Sequence, residues 1–157
     1  MVEKGSKHKK NETKLKIPII EGILSIPESP SEKPRLIGSR CNQCGWVSFP
    51  KAQICPGCFR DDSMEEILLS NQGRLYCYSI ARVAPLGFTP PYILGYIDLD
   101  EGVRIYSQIT GCEPREDALS IGSKMEMVLE KIREDESGNE LIGYKFKPIQ
   151  EESISKQ

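Results

Sequence analysis

The chain has 157 residues with a formal net charge of −2, and it contains six cysteines but one histidine. This length fits one ordinary domain with a small satellite and excludes two full-size domains. No stretch approaches the roughly 18 consecutive apolar residues of a membrane span, and the N-terminus lacks the apolar centre of an export signal. We therefore expect a soluble, cytoplasmic protein with no membrane partner. In that reducing compartment, paired cysteines bind metal more readily than they form disulfides.

The N-terminal part, residues 1–33, divides into two pieces. Residues 1–16 carry six lysines and two glutamates, a charge of +4 that leaves −6 for the remainder. Such a stretch does not bury enough surface to order itself, so we expect a flexible basic tail, with a docking arm that orders on a partner as the alternative. The segment "IPIIEGILSIP" that follows is either a short strand or turn on the body, or an apolar docking arm packed on another subunit. A second tail is expected at residues 151–157.

Four cysteines lie in the stretch "CNQCGWVSFPKAQICPGC" as two CxxC pairs with ten residues between them. Each CxxC turn supplies two sulfurs from one tight knuckle, and four sulfurs complete the tetrahedron that zinc prefers. Because every position is sulfur, no coordination site stays open for water or substrate, and we expect one structural Zn²⁺ per chain. The predicted ligands of this zinc ribbon, residues 34–70, are Cys41, Cys44, Cys55 and Cys58.

Two other uses of these cysteines stay open at this point. A single redox iron takes the same sulfur tetrahedron, and the ligands alone do not separate it from zinc. A redox dithiol needs one CxxC at the start of a helix in a βαβ unit, and neither pair has that context. The remaining cysteines, Cys77 and Cys112, are expected to be small, partly buried side chains.

Residues 71–150 carry the period-two alternation of β-strands. In "GRLYCYSIARVA", the alternation places Leu75, Cys77 and Ser79 on one face and Tyr76 and Tyr78 on the other. The runs "YILGYIDL", "VRIYSQI", "KMEMVLEKI" and "LIGYKFKP" supply four more strands, and the acidic "DEG" loop predicts a hairpin between the second and third. A short helical turn is predicted in "EPREDALSIG". The whole is a mainly β protein with an arm, a zinc ribbon and a five-stranded OB-type barrel.

No catalytic residue is expected in this chain. Catalysis by a cysteine nucleophile needs a reactive thiolate with a base placed beside it, usually histidine. The one histidine, His8, lies in the basic tail, and the sequence contains no glycine-rich phosphate loop or dinucleotide fingerprint.

The order of motifs resembles the zinc-ribbon plus OB-fold family found beside thiolases. The residues that carry the resemblance are "LIGSRCNQCG", the "FP" before the second knuckle, the "LDEGVR" hairpin and the "IG" before the fourth strand, within residues 34–149. The resemblance implies a non-catalytic accessory subunit that helps to assemble a thiolase-type acyltransferase complex and to enclose its acyl-CoA. It also implies a thiolase-superfamily catalytic subunit as partner, in a heterotetramer of two plus two. The branch that looks nearest serves anaerobic toluene degradation.

Two sets of residues are candidates for contacts in such a complex. The anionic head of coenzyme A would accept charge-assisted hydrogen bonds from basic side chains near the ribbon and the first barrel strand, although surface ion pairs are the alternative for each. These are Arg40, Lys51, Arg74 and Arg82. The stiff apolar stretch "APLGFTPPY" is expected to contact the partner or wall its acyl pocket, with local packing as the alternative. Its candidate residues are Phe88, Pro90, Pro91 and Tyr92.

A single-stranded nucleic-acid-binding protein is the rival interpretation, because ribbons and OB barrels also bind nucleic acid. Such proteins need a positive groove and exposed aromatic rings. The body carries −6, or −8 with four thiolates and one Zn²⁺, and would repel phosphates on average. Five tyrosines are available for stacking, although aromatic residues on strands lie more often in a core or interface. They are Tyr76, Tyr78, Tyr92, Tyr96 and Tyr106.

Overall fold

The computed structural model describes residues 14–150, and every regular element in this range is a β-strand. The strands are Lys16–Pro18 (β1), Leu24–Ser25 (β2), Arg35–Cys41 (β3), Val47–Ser48 (β4), Met64–Leu68 (β5), Gln72–Ala81 (β6), Tyr92–Leu99 (β7), Arg104–Ile109 (β8), Lys124–Glu134 (β9) and Glu140–Pro148 (β10). No helix that could cross a membrane occurs within these residues. The predicted mainly β class is confirmed.

Five strands close into a barrel. Strands β6, β7 and β8 form an antiparallel meander, β9 and β10 form a long hairpin, and β9 returns to pair with the start of β6. The remaining seam is a parallel contact between β8 and β10, at Ile109 and Phe146. This strand order is that of an OB-type barrel, as the sequence predicts.

A β-bulge in β6 changes which side chains enter the barrel. The register with β7 shifts between Leu75 and Cys77, so Tyr76 and Cys77 both lie on the outer face. Tyr78 then packs against the core, opposite Gly95. A Cβ on Gly95 would lie 2.6 Å from Ile109 Cδ1, so only glycine leaves room there. The predicted strict alternation along β6 is therefore wrong beyond Leu75.

The predicted helical turn between the third and fourth barrel strands is also wrong. Residues 113–122 form hydrogen-bonded turns, such as the one from Ala118 N–H to the Arg115 carbonyl. The Tyr78 hydroxyl bonds to the backbone carbonyls of Glu116 and Leu119, which ties the segment along the side of β6. The two carbonyls thus accept hydrogen bonds from a distant side chain and not from the backbone N–H groups of a helix.

The N-terminal segment lies on the body of the protein. Strand β1 pairs in parallel with β10, and β2 pairs with β3 of the ribbon sheet. Ile23 and Leu24 are buried, whereas Ile20 stays exposed. Residues 16–25 therefore form short strands on the body of the protein, which was the first of the two expected arrangements. A contact of this segment with another subunit stays a prediction. The basic tail and the C-terminal tail fall largely outside the described residues.

One hydrophobic cluster runs through the arm, the ribbon and the barrel. Its buried members are Ile23, Leu24, Leu36, Leu69, Leu75, Ile93, Ile97, Leu99, Val103, Ile105, Ile109, Met125, Met127 and Phe146. Leu36 and Leu69, at the base of the ribbon sheet, are fully buried in this same cluster. The ribbon is thus fixed to the barrel by apolar packing and not by a flexible linker.

A carboxylate reinforces the same junction. Glu101, in the β7–β8 hairpin, accepts hydrogen bonds from the backbone N–H of Ser70 at 2.7 Å and from its hydroxyl at 2.8 Å. Ser70 follows the last ribbon strand, so these bonds join the hairpin to the ribbon–barrel connection.

We expect Glu101→Ala to lower the free energy of unfolding by about 1 to 3 kcal/mol, because the partly buried Ser70 N–H loses its acceptor. Chemical denaturation of the purified variant measures this change. Glu101→Gln keeps a carbonyl acceptor and should retain most of the stability. Asp100→Ala, at the exposed neighbouring position, is the matched control. Equal stability of the alanine variant and the wild-type chain would show that these bonds contribute nothing.

Candidate metal centre and the surfaces around it

The ribbon sheet brings the four predicted cysteine ligands together. Their sulfur atoms all lie within 4.8 Å of one another. Cys41 Sγ is 3.6 Å from Cys58 Sγ, and Cys44 Sγ is 3.5 Å from Cys55 Sγ. Zn–S bonds of about 2.3 Å in a tetrahedron place sulfurs about 3.8 Å apart. The donor set and its spacing therefore fit a zinc ion.

The two knuckles repeat one hydrogen-bond pattern. In the first, the N–H of Gly45 bonds to the Cys41 carbonyl, and the Cys41 N–H bonds to the carbonyl of Trp46. In the second, the N–H of Phe59 bonds to the Cys55 carbonyl, and the Cys55 N–H bonds to the carbonyl of Arg60. The residue after each second cysteine has a positive φ, 78° at Gly45 and 61° at Phe59. The knuckles are thus two copies of one backbone turn.

Backbone N–H groups point at the sulfurs, as a thiolate site requires. The N–H groups of Gln43 and Gly57 lie 3.4 and 3.3 Å from the sulfurs of Cys41 and Cys55, respectively. The Ser63 hydroxyl, 3.2 Å from Cys41 Sγ, together with the backbone N–H groups of Cys44 and Gln43, lowers the pKa of that thiol to about 6. The anionic form that binds metal is therefore favoured at Cys41 near neutral pH.

The four sulfurs do not all ionise readily by themselves. The backbone N–H of Trp46 lowers the pKa of Cys44, but the adjacent thiol of Cys55 and the other sulfurs outweigh it and raise that pKa to about 12. A dication would remove this conflict, because it neutralises the repulsion among thiolates. With four sulfur donors there is no open position, so the ion would stabilise the fold and not activate water.

The four cations predicted to bind coenzyme A do not converge on one site. Arg74 donates to the Gly122 carbonyl at the start of β6, and Arg82 pairs with Glu116 just beyond its end, about 25 Å away at the usual rise per residue. Lys51 pairs with Glu66 on the ribbon. Arg40 is exposed on β3, and its side chain makes no hydrogen bond or ion pair within residues 14–150. Direct contact of these four with coenzyme A stays a prediction.

The β6–β7 loop, residues 82–91, presents an apolar surface at one end of the barrel. Phe88 is 44% exposed, and its ring packs against Tyr92 with the centroids 5.9 Å apart. Pro90 and Pro91 are exposed beside it. Two residues that sequence reasoning did not single out, Val83 and Leu86, are still more exposed, at 87% and 102%. We call Val83, Leu86 and Phe88 the loop patch.

A second group of exposed tyrosines lies on the outer face of the barrel. The rings of Tyr96 and Tyr106 are 5.1 Å apart on β7 and β8. Arg104 stacks on Tyr76 with its guanidinium 3.3 Å from the ring centroid, and it also pairs with Asp98. The arginine charge is thus already matched by a carboxylate.

The two other cysteines lie away from the cluster. Cys77 is partly buried on the outer side of the bulge, and burial raises the pKa of the Cys112 thiol. The raised pKa of Cys112 disfavours the thiolate that a nucleophilic cysteine needs.

Known protein families match both parts of the chain. Residues 32–65 match the ChsH2 rubredoxin-like zinc ribbon domain, and residues 66–130 match the ChsH2 C-terminal OB-fold domain. A solved structure described as an Ltp2-ChsH2(DUF35) aldolase superposes with a TM-score of 0.59 and 25% identity, over 73% of this chain and 84% of that one.

Relatives of similar length occur in archaea and bacteria. A DUF35 domain-containing scaffold protein of Methanocaldococcus jannaschii is 46% identical over 76% of this chain and 85% of the relative. The benzoylsuccinyl-CoA thiolase subunit BbsA of Thauera aromatica is 34% identical over 90% of this chain and 96% of the relative. These matches confirm the resemblance seen in the cysteine and hairpin motifs, and the chain belongs to the DUF35 family of zinc-ribbon and OB-fold proteins.

Proposed function

We propose that this protein is a non-catalytic accessory subunit that assembles a thiolase-type acyltransferase complex. The observation that carries the proposal is the nearly full-length match to a benzoylsuccinyl-CoA thiolase subunit, together with higher identity to a protein named as a scaffold. Both names describe a protein that works as part of a larger assembly. The partner would be a thiolase-superfamily catalytic subunit, in a heterotetramer of two plus two.

The fold supports a role in assembly. Ribbon and barrel share one hydrophobic cluster, so surfaces on the two parts keep a fixed relation to each other. The four ribbon cysteines fill a tetrahedron and leave no position for a substrate. Cys41, Cys44, Cys55 and Cys58 would hold one structural Zn²⁺ per chain.

Acyl-CoA would be bound by the complex and only partly by this chain. The loop patch is apolar and stands clear of the barrel, which suits a wall of an acyl pocket or a contact with the catalytic subunit. Among the four candidate cations, Arg40 is best placed to meet an anion, because its side chain makes no ion pair or hydrogen bond within the described part of the chain. From the match to BbsA we further propose that the acyl group of the substrate is aromatic, as in toluene degradation.

Single-stranded nucleic acid has one observation in its favour. Tyr76, Tyr96 and Tyr106 are exposed on the barrel face that OB-folds use for oligonucleotides. The guanidinium beside them is already paired with Asp98, and the body as a whole is acidic. Salt-sensitive retention on a single-stranded DNA column would support this alternative over the accessory subunit.

The purified protein is expected to contain about one equivalent of zinc, since four thiolates close on one ion. Cys44→Ser should remove most of the zinc and unfold the ribbon, because metal binding supplies on the order of 10 kcal/mol to modules of this kind. Elemental analysis and circular dichroism measure the two effects. Cys112→Ser, outside the cluster, is the control and should change neither. Less than about half an equivalent of zinc, or iron in its place, would contradict the assignment.

Activity is expected to require both subunits. Thiolysis of benzoylsuccinyl-CoA, with acetoacetyl-CoA as a shorter comparison, should be measured with this chain alone, with a thiolase-superfamily subunit from the same organism alone, and with the two mixed. The mixture should be active and this chain alone inactive, because it is expected to supply no catalytic thiolate and base. Turnover by this chain alone would refute the non-catalytic assignment. Full activity of the isolated partner would refute the dependence.

Leu86→Ala and Phe88→Ala should weaken assembly or raise the KM for acyl-CoA, because the loop patch loses apolar contact area. Leu86 gives the cleaner test, since its fully exposed side chain does not contribute to the barrel core. The free energy of unfolding of the Leu86→Ala variant should differ from that of the wild-type chain by less than about 0.5 kcal/mol. Ile121→Ala, at another exposed apolar position, is the matched control. Unchanged assembly and kinetics in both loop variants would leave the loop patch with a local packing role.

A further inference from the structure

The second zinc knuckle has a bulky residue where its backbone favours glycine. Gly45 and Phe59 occupy the same place in two equivalent turns, and each donates its N–H to the carbonyl of the first cysteine, at 2.9 and 2.8 Å. A φ of 61° is readily adopted by glycine but is unfavourable for a bulky L residue, because its Cβ crowds the backbone. The second knuckle therefore keeps a phenylalanine at a conformational cost.

Local packing does not compensate for this cost. The Phe59 side chain is 80% exposed, so its ring has little contact with the rest of the described chain. A strained backbone at an exposed apolar residue indicates a role outside the folded monomer, because a stabilising role would need burial.

Phe59 is accompanied by two other exposed apolar side chains on the same knuckles. Trp46 directly follows the first knuckle and lies against Gly57 of the second, where a Cβ would be 3.1 Å from the indole ring. Ile54 directly precedes Cys55. Trp46 is 51% exposed and Ile54 is 57% exposed. We call Trp46, Ile54 and Phe59 the knuckle patch, which lies on the ribbon and is separate from the loop patch of the barrel.

We propose that the knuckle patch anchors this chain in an apolar pocket with a basic rim on the catalytic subunit, an inference that rests on the proposed function. The exposed area of the three side chains is on the order of 400 Å². A stable interface needs about 800 Å² on each side, so the knuckle patch fits as the anchor of a larger interface and not as a self-sufficient dimer contact.

The charge of the ribbon also favours the catalytic subunit, and not a second copy of this chain, as the protein that covers the knuckle patch. Residues 41–66 contain two basic and four acidic side chains, a formal charge of −2 before the cysteines are counted. A zinc ion with four thiolates would add a further −2 within the same two knuckles. Two copies facing each other through this surface would repel, whereas lysines or arginines around an apolar pocket would be attracted.

Phe59→Gly separates the proposed role from a structural one. Glycine relieves the unfavourable φ, so the zinc content should be unchanged and the thermal stability unchanged or higher. Affinity for the thiolase-superfamily subunit, measured by isothermal titration calorimetry with both chains zinc-loaded, should fall at least tenfold. Phe59→Asn, which also tolerates a positive φ, should behave in the same way. Ile121→Gly, at another exposed apolar site outside the ribbon, should leave the affinity within twofold.

Trp46 provides a direct readout because it is the only tryptophan in the chain. With 5-fluorotryptophan in this chain alone, its fluorine resonance should shift when the unlabelled catalytic subunit is added. Unchanged affinity of Phe59→Gly, or an unshifted resonance in a formed complex, would overturn the inference and leave the proposed function intact. Absence of any wild-type complex would overturn both. Concentration-dependent dimerisation of this chain that is lost in Phe59→Gly would overturn the inference in favour of a second copy.

Discussion

The packing of Leu36 and Leu69 into the barrel core is the constraint on which the rest of the structure depends. Leu36 lies in β3 of the ribbon sheet and Leu69 directly follows β5, yet both are fully buried among barrel side chains. A ribbon of about thirty residues has too little interior to hold a fixed position on its own. Because its base is part of the barrel core, the knuckles and the barrel loops keep a fixed relation, which an assembly subunit needs if it contacts a partner at more than one place.

The cysteine cluster and the hydrophobic core stabilise opposite ends of the ribbon. The core fixes its base, and the cysteine cluster joins the two knuckles at the other end. The pKa of the Cys41 thiol is lowered to about 6, whereas the neighbouring sulfurs raise that of Cys44 to about 12, so a bound cation would favour the thiolate form of Cys44 as well. A closed tetrahedron contributes structure and no chemistry. The chain is therefore suited to shaping a site that another subunit supplies with catalytic groups.

Sequence patterns predicted the strand order, the closed barrel and the cysteine cluster, because each depends on local spacing. They did not predict which side chains of β6 enter the core, because that depends on the neighbouring strand. The bulge at Tyr76 and Cys77 moves Tyr78 into the core, and only the pairing with Gly95 of β7 makes that position roomy enough. Nearness in sequence groups the four cations, yet Arg74 lies near the start of β6 and Arg82 just beyond its end. Gly45 and Phe59 are equivalent in the sequence as well, because each directly follows the second cysteine of a CxxC pair.

That equivalence links the metal to the surface around it. A sequence is normally consistent with its fold at every level, and departures tend to occur where function requires them. Phe59 departs from the glycine that the first knuckle uses, although nothing in the described chain covers its ring. The four sulfurs hold the two knuckles together and thereby place Trp46 against the turn that carries Phe59. The cluster thus determines more than the stability of the ribbon, since it also sets the arrangement of the side chains that the ribbon presents to its surroundings.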